Sequence, residues 1–206
     1  MNGFHDSTGK FRRLPEAPLI LSVEELKLLD SSQIDDGVPV QTNDGRHFVF
    51  RRSSTLAADD VFVVAGRYGG RFVLRPGMPF DLALPIAAAT ADAAVLATVP
   101  AGAALLLGRS YWEITENWTG GSSSAIGISS DQAPYNTKGD LLGGAAGDVE
   151  ATLVASAGRV LGTIGADVAA GILLKGGATI RFDRITSAFT AGAGFAHIVG
   201  TCLAMP

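Results

Sequence analysis

Arg181-Phe-Asp-Arg-Ile-Thr-Ser-Ala-Phe-Thr-Ala-Gly-Ala-Gly-Phe-Ala-His-Ile-Val-Gly200 reads as strand, turn, strand. Ile180 and Phe182 alternate with Arg181 and Asp183, the period-2 pattern of a half-buried strand. Thr190-Ala-Gly-Ala-Gly194 then breaks the pattern with two glycines able to take positive φ. A second strand follows, with Phe195, His197 and Val199 on one face and Ala196, Ile198 and Gly200 on the other. The pair is expected to form a hairpin that closes a β-structure. Trp112-Glu-Ile-Thr-Glu-Asn-Trp-Thr-Gly-Gly-Ser-Ser-Ser-Ala-Ile-Gly-Ile-Ser129 has the same grammar and predicts a second hairpin.

Composition agrees with a β-rich chain. Its 206 residues are 47% hydrophobic and include 26 glycines, so the core is built largely from small and β-branched side chains. A net charge of −4 offers no basic field for nucleic acid, and nucleic acid is not an expected partner. Cys202 is the only cysteine, which excludes an intrachain disulfide and a cysteine metal cluster and predicts a small buried hydrophobe. His5, Asp6, Lys10, Arg12 and Arg13 near the start leave no apolar core of a signal peptide. Leu82 to Leu107 is the most apolar region, yet Pro85, Asp92, Pro100 and Gly102 interrupt it. It reads as two or three short buried strands rather than a membrane span, and no membrane partner is expected.

Three segments follow along the chain. Residues 1–20 fit neither a helix nor a strand period and predict an extended arm. Such arms commonly lie across a neighbouring subunit. Phe4, Phe11, Arg12, Arg13 and Leu14 are its candidate contacts with another subunit, or with a larger assembly that the subunit joins. Residues 21–77 predict a small β-module with one short helix. Ser22-Val-Glu-Glu25 is a capping box, and Val23, Leu26 and Leu29 share one helical face. Strands are expected at 38–42 and 46–52 around the Asn43-Asp-Gly45 turn, then at 61–64 and 71–74. Residues 78–206 predict a β-sandwich or jelly-roll domain of regularly spaced short strands. Within it, 87–97 is open to strand or helix because alanine has no strand preference. Residues 131–148 read as a long polar, Gly-rich excursion. The fold class is therefore mainly β, a helix-plus-β module followed by a sandwich.

The order of helix, strand, Asp44-Gly45, Phe48-Val-Phe50, Ser53-Ser-Thr-Leu-Ala-Ala-Asp-Asp60, apolar strand and Gly70-Arg-Phe72 resembles a small β-module of tailed-phage fibres, spikes and head-fibre proteins. The match spans roughly residues 21–74; it lacks the glycine run after the first turn and the Gly-Arg-Trp ending frequent in that family. The second half resembles virion proteins of the capsid-decoration or head-fibre kind through Tyr111-Trp-Glu-Ile-Thr115, Thr119-Gly-Gly-Ser-Ser-Ser-Ala-Ile-Gly127, Gly139-Asp-Leu-Leu-Gly143 and Ile185-Thr-Ser-Ala-Phe-Thr-Ala-Gly192. The resemblance implies a virion location, attachment without catalysis, a homotrimer, and the major capsid protein or other virion proteins as partners. Its alternative is a receptor- or glycan-binding fibre or spike component.

The chemical motifs have plainer readings beside that role. Gly121-Ser-Ser-Ser-Ala125 lacks the closing glycine and the strand–turn–helix context of a nucleophile elbow. His5, His47 and His197 have no second metal ligand at a local spacing. Asp35-Asp36 and Asp59-Asp60 sit beside turns without the alternating acids of a calcium loop. Glu113 and Glu116 fall on opposite faces of one strand, which disfavours a glycosidase pair. Gly192 and Gly194 lack the third glycine of a dinucleotide loop, so no cofactor is expected. Tyr111, Trp112 and Trp118 are the aromatics that a sugar-binding face would use, and they serve equally as core anchors, the reading preferred here.

Overall fold

The computed structural model describes residues 3–5, 11–13, 20–120, 124–143, 158–161 and 171–206. The chain is mainly β, with antiparallel sheets and one short α-helix near the N-terminus. The expected arm is not without regular structure. Gly3–His5 (β1) and Phe11–Arg13 (β2) pair antiparallel, Phe4 opposite Arg12. Leu14 lies outside the described residues.

The helix and the four strands expected over 21–77 are present, with a further short strand before the helix. Ile20–Leu21 (β3) leads into the helix Val23–Leu28 (α1), whose capping box is complete: Glu25 N–H donates to Ser22 Oγ, and Ser22 N–H donates to the Glu25 carboxylate. Pro39–Thr42 (β4), His47–Arg51 (β5), Val63–Ala65 (β6) and Arg71–Leu74 (β7) complete a five-stranded sheet in the order β3-β4-β5-β7-β6. Gly45 takes φ +86° in the β4–β5 turn, the conformation an Asp-Gly hairpin needs.

Beyond it, nine strands build a sandwich. They are Pro79–Ala87 (β8), Val95–Thr98 (β9), Ala104–Leu107 (β10), Tyr111–Thr119 (β11), Ala125–Ser130 (β12), Gly158–Leu161 (β13), Ile172–Lys175 (β14), Thr179–Ile185 (β15) and Ala191–Ala204 (β16). The fourteen-residue β16 is the axis of the larger sheet. One edge of β16 pairs with β8; the other is shared by β11 and then β10, with β13 and β14 beyond them. A three-stranded sheet, β12-β15-β9, packs on it. The inner faces meet through Trp112, Trp118, Leu82, Leu105 and Ile198 on one side and Ile126, Ile180 and Phe182 on the other, all fully or nearly fully buried. The Trp118 ring stacks on Phe182 at 6.4 Å and meets the Phe189 edge at 5.1 Å.

Both expected hairpins need correction. Their strands exist, but β15 pairs with β12 and β9 while β16 lies in the other sheet, and β11 and β12 are divided in the same way. The glycines read as a turn lie inside β16, where they admit close neighbours. A Cβ on Gly192 would fall 2.5 Å from the Trp118 ring, and one on Gly194 would fall 2.2 Å from the Glu113 carbonyl oxygen. Residues 87–97 are the end of β8, a turn and the start of β9, and form no helix.

The polar excursion is also corrected over 131–143, where it is a packed wall. Leu141 and Leu142 are buried, and Ile128 and Leu142 form a β-bridge on the free edge of β12. Residues 144–157 and 162–170 lie outside the described residues.

Candidate functional site

The residues that carry the fibre-module resemblance are those that build the module. Asp44 closes the β4–β5 turn by accepting from the Thr42 hydroxyl and from Arg46 Nε, the latter at 2.9 Å. Arg46 also donates to the carbonyls of Asp60 and Val61 at 3.0 and 2.7 Å and lies over the Phe48 ring. Burial pushes the Asp44 carboxyl up, but the Arg46 guanidinium and the Thr42 hydroxyl outweigh it and hold the group below its ordinary range. Phe48, Phe50 and Phe72 are buried, and one Asp59 oxygen accepts the N–H groups of Val61, Phe62 and Val63. Arg71 donates to the Leu56 carbonyl. The Asp59-Asp60 pair thus has a structural use: Asp59 caps a strand and Asp60 pairs with Lys27.

The three aromatics of the candidate ligand face are not presented together. Trp112 and Trp118 are 0% exposed and point into the sandwich, so they form no ligand face. Strand parity explains this, because even positions of β11 up to Ile114 and again Trp118 face the core. Only Tyr111 lies on the outer face, half-buried, with its ring stacked on His197 at 4.3 Å.

That outer face holds a titratable cluster assembled from three strands. His197 on β16 is 9% exposed. Its Nδ1 lies 2.7 Å from Asp81 Oδ1 on β8, and its Nε2 lies 3.4 Å from Glu113 Oε2 on β11. Tyr111 Oη donates to the second Asp81 oxygen at 2.8 Å, and Phe195 meets the imidazole edge-on. Asp81 and His197 are 116 positions apart, so no local spacing signals this cluster. Both imidazole nitrogens face carboxylates, so the arrangement ties three strands together and aims no free ring nitrogen at a hydroxyl or thiol. Glu113 and Glu116 do not act as a pair: Glu113 turns to His197, and Glu116 is exposed beyond a register shift.

A second polar cluster fastens the wall. Asp183 is buried and accepts from Ser129 Oγ at 2.8 Å and Gly139 N–H at 2.9 Å. Burial raises its carboxyl above the ordinary value, and these two hydrogen bonds only partly offset that. Lys138 Nζ beside it donates to Asp92 Oδ2 and to the Arg184 carbonyl, each at 2.6 Å. Among the described residues no group of three or more His, Cys, Asp or Glu has metal-holding geometry. Among them, too, no helix is long and apolar enough to cross a membrane. Side chains of Phe4, Phe11, Arg12 and Arg13 lie outside what is described, so the arm contacts rest on sequence alone.

No family model, no curated protein and no solved structure matches the chain.

Proposed function

We propose that the chain is a structural virion protein of a tailed phage or phage-like particle. It decorates and stabilises the capsid or forms the base of a head fibre, through protein–protein contacts. It works by binding rather than catalysis, as a homotrimer whose arms reach neighbouring subunits, with the major capsid protein or other virion proteins as partners.

The observation that carries this reading is the use made of the resembling residues. Asp44-Gly45, Phe48, Phe50, Asp59 and Arg71-Phe72 build one framework of turn, core and strand cap, so the likeness to fibre and spike modules is a likeness of fold-determining residues. The cross-strand ties of the sandwich support the same reading, because Asp81, Glu113 and His197 are engaged with each other. A receptor- or glycan-binding role is the competing reading, and the burial of Trp112 and Trp118 removes two of the three residues that favoured it.

Peptide mass mapping of particles purified from a culture that makes the chain tests the proposal. The chain is expected as a particle component in fixed ratio to the major capsid protein. Particles that lack it, with the chain left free in the lysate, would overturn the reading.

A further inference from the structure

Among the described strands, β14 stands at the outer edge of the larger sheet, bonded on its inner side to β10. Backbone groups of a strand alternate between its two neighbours, so the outer side of β14 presents the carbonyl of Gly171, both groups of Leu173 and the N–H of Lys175. Such a row is a template for a further strand unless something occupies it.

Here side chains occupy it. Gln132 Nε2 donates to the Leu173 carbonyl at 2.8 Å, and Gln132 Oε1 accepts from Lys175 N–H at 2.9 Å. Tyr135 Oη accepts from Leu173 N–H at 3.2 Å and donates to the Gly171 carbonyl at 3.4 Å. One carboxamide and one phenol thus replace the four hydrogen bonds of a neighbouring strand. The turn that presents them is fixed by its own bonds: Tyr135 N–H to the Gln132 carbonyl, Ser130 N–H to the Tyr135 carbonyl, and Thr179 N–H to Asp131.

The opposite edge is closed by other means. Even residues of β16 turn their backbone groups to β8, as the bonds at Gly192 and Cys202 show. Pro79, Asp81, Ala83, Pro85 and Ala87 therefore face outward along β8. Two of these five are prolines without an N–H, and the Ala87 N–H is taken by Thr90 Oγ1.

We propose that Gln132 and Tyr135 are an edge guard that stops β14 from accepting the β14 of a second copy of this chain. The second copy is the fitting occupant because the guarded set is self-complementary. Two antiparallel β14 strands related by a two-fold axis at Leu173 would exchange both Leu173 bonds, and each Lys175 N–H would meet a Gly171 carbonyl. The guard therefore directs assembly away from this edge and toward other surfaces.

The test compares full-length wild type with Gln132→Ala/Tyr135→Phe by light scattering and by amide exchange at dilute and concentrated protein. In wild type, Leu173 and Lys175 amides are expected to be protected at both concentrations. In the double variant they should exchange fast when dilute, become protected when concentrated, and the concentrated mass should be at least twice that of wild type. Adding Leu173→Lys sets like charges opposite each other at the axis and should return the mass to the wild-type value. If the double variant does not fold, Tyr135→Phe alone, which keeps the ring and deletes one hydroxyl, frees Leu173 N–H and is read in the same way. A folded variant that keeps the wild-type mass at every concentration would overturn the proposal. So would a doubled mass that survives Leu173→Lys.

Discussion

Gly127 of β12 lies against Gly139 of the packed wall so closely that a Cβ on Gly127 would fall 2.8 Å from the Gly139 Cα. The contact is backbone on backbone, so no flexible side chain can yield. The same approach aims Gly139 N–H at the Asp183 carboxylate. Gly127→Ala is expected to destabilise the fold by roughly 1–3 kcal/mol, the usual cost of overpacking, measured by chemical denaturation. A variant as stable as wild type would mean that the wall is not seated on β12 as described.

The chain has two tryptophans, and both are 0% exposed. Among the described residues their indole N–H groups find no hydrogen-bond partner. Intrinsic fluorescence should therefore be blue-shifted and nearly insensitive to iodide until the protein unfolds. Trp118→Ala should cost about 3–5 kcal/mol, the range for removing a large buried aromatic. Quenching as strong as that of a free indole would restore the exposed aromatic face that the structure removes.

Acid stability should depend on Asp92. Burial pushes its carboxyl up, but the Lys138 ammonium and the N–H groups of Arg184 and Ala93 outweigh it, so its folded pKa lies below the ordinary value. Its stabilisation is thus present above the ordinary carboxylate pKa of about 3.9 and lost as pH falls through the depressed folded value. The pair is half exposed, so the effect is only about 0–1 kcal/mol. Asp183 works in the opposite sense, since its raised carboxyl opposes folding when ionised and stops doing so as pH falls. The difference in unfolding free energy between wild type and Asp92→Asn should be constant near neutrality and shrink in acid. A difference that grows in acid would contradict this.

Cys202 is fully buried, and burial pushes its thiol up to about 11. An aromatic disulfide reagent should react with it only at the rate of unfolding, and faster as denaturant is added. Rapid stoichiometric reaction in native buffer would place Cys202 outside the core.

Local chemistry was legible in the sequence wherever its cause was local. The Ser22–Glu25 capping box, the Asp44-Gly45 turn and a strand through Ile180 and Phe182 form where they were read, whereas Asp183, read on the polar face of that strand, is buried under the wall. Strand pairing was not legible, because β11 and β12 are neighbours in sequence yet pair in different sheets. The glycines of β16 were misread for a related reason. Gly192 and Gly194 answer to Trp118 and Glu113, neighbours that no local window contains. Polar composition likewise concealed the wall over 131–143, whose Asp131, Gln132 and Tyr135 spend their polar groups on distant backbone. The His197 cluster needed three strands in register before any of its members could meet.

The solution mass of the purified chain, with and without capsids, tests whether it is the virion structural protein proposed above. A stable trimer, three times the 21.2 kDa chain mass, that co-sediments with capsids is expected. A monomer that ignores capsids and binds host cells would contradict it and would favour a receptor-binding fibre component.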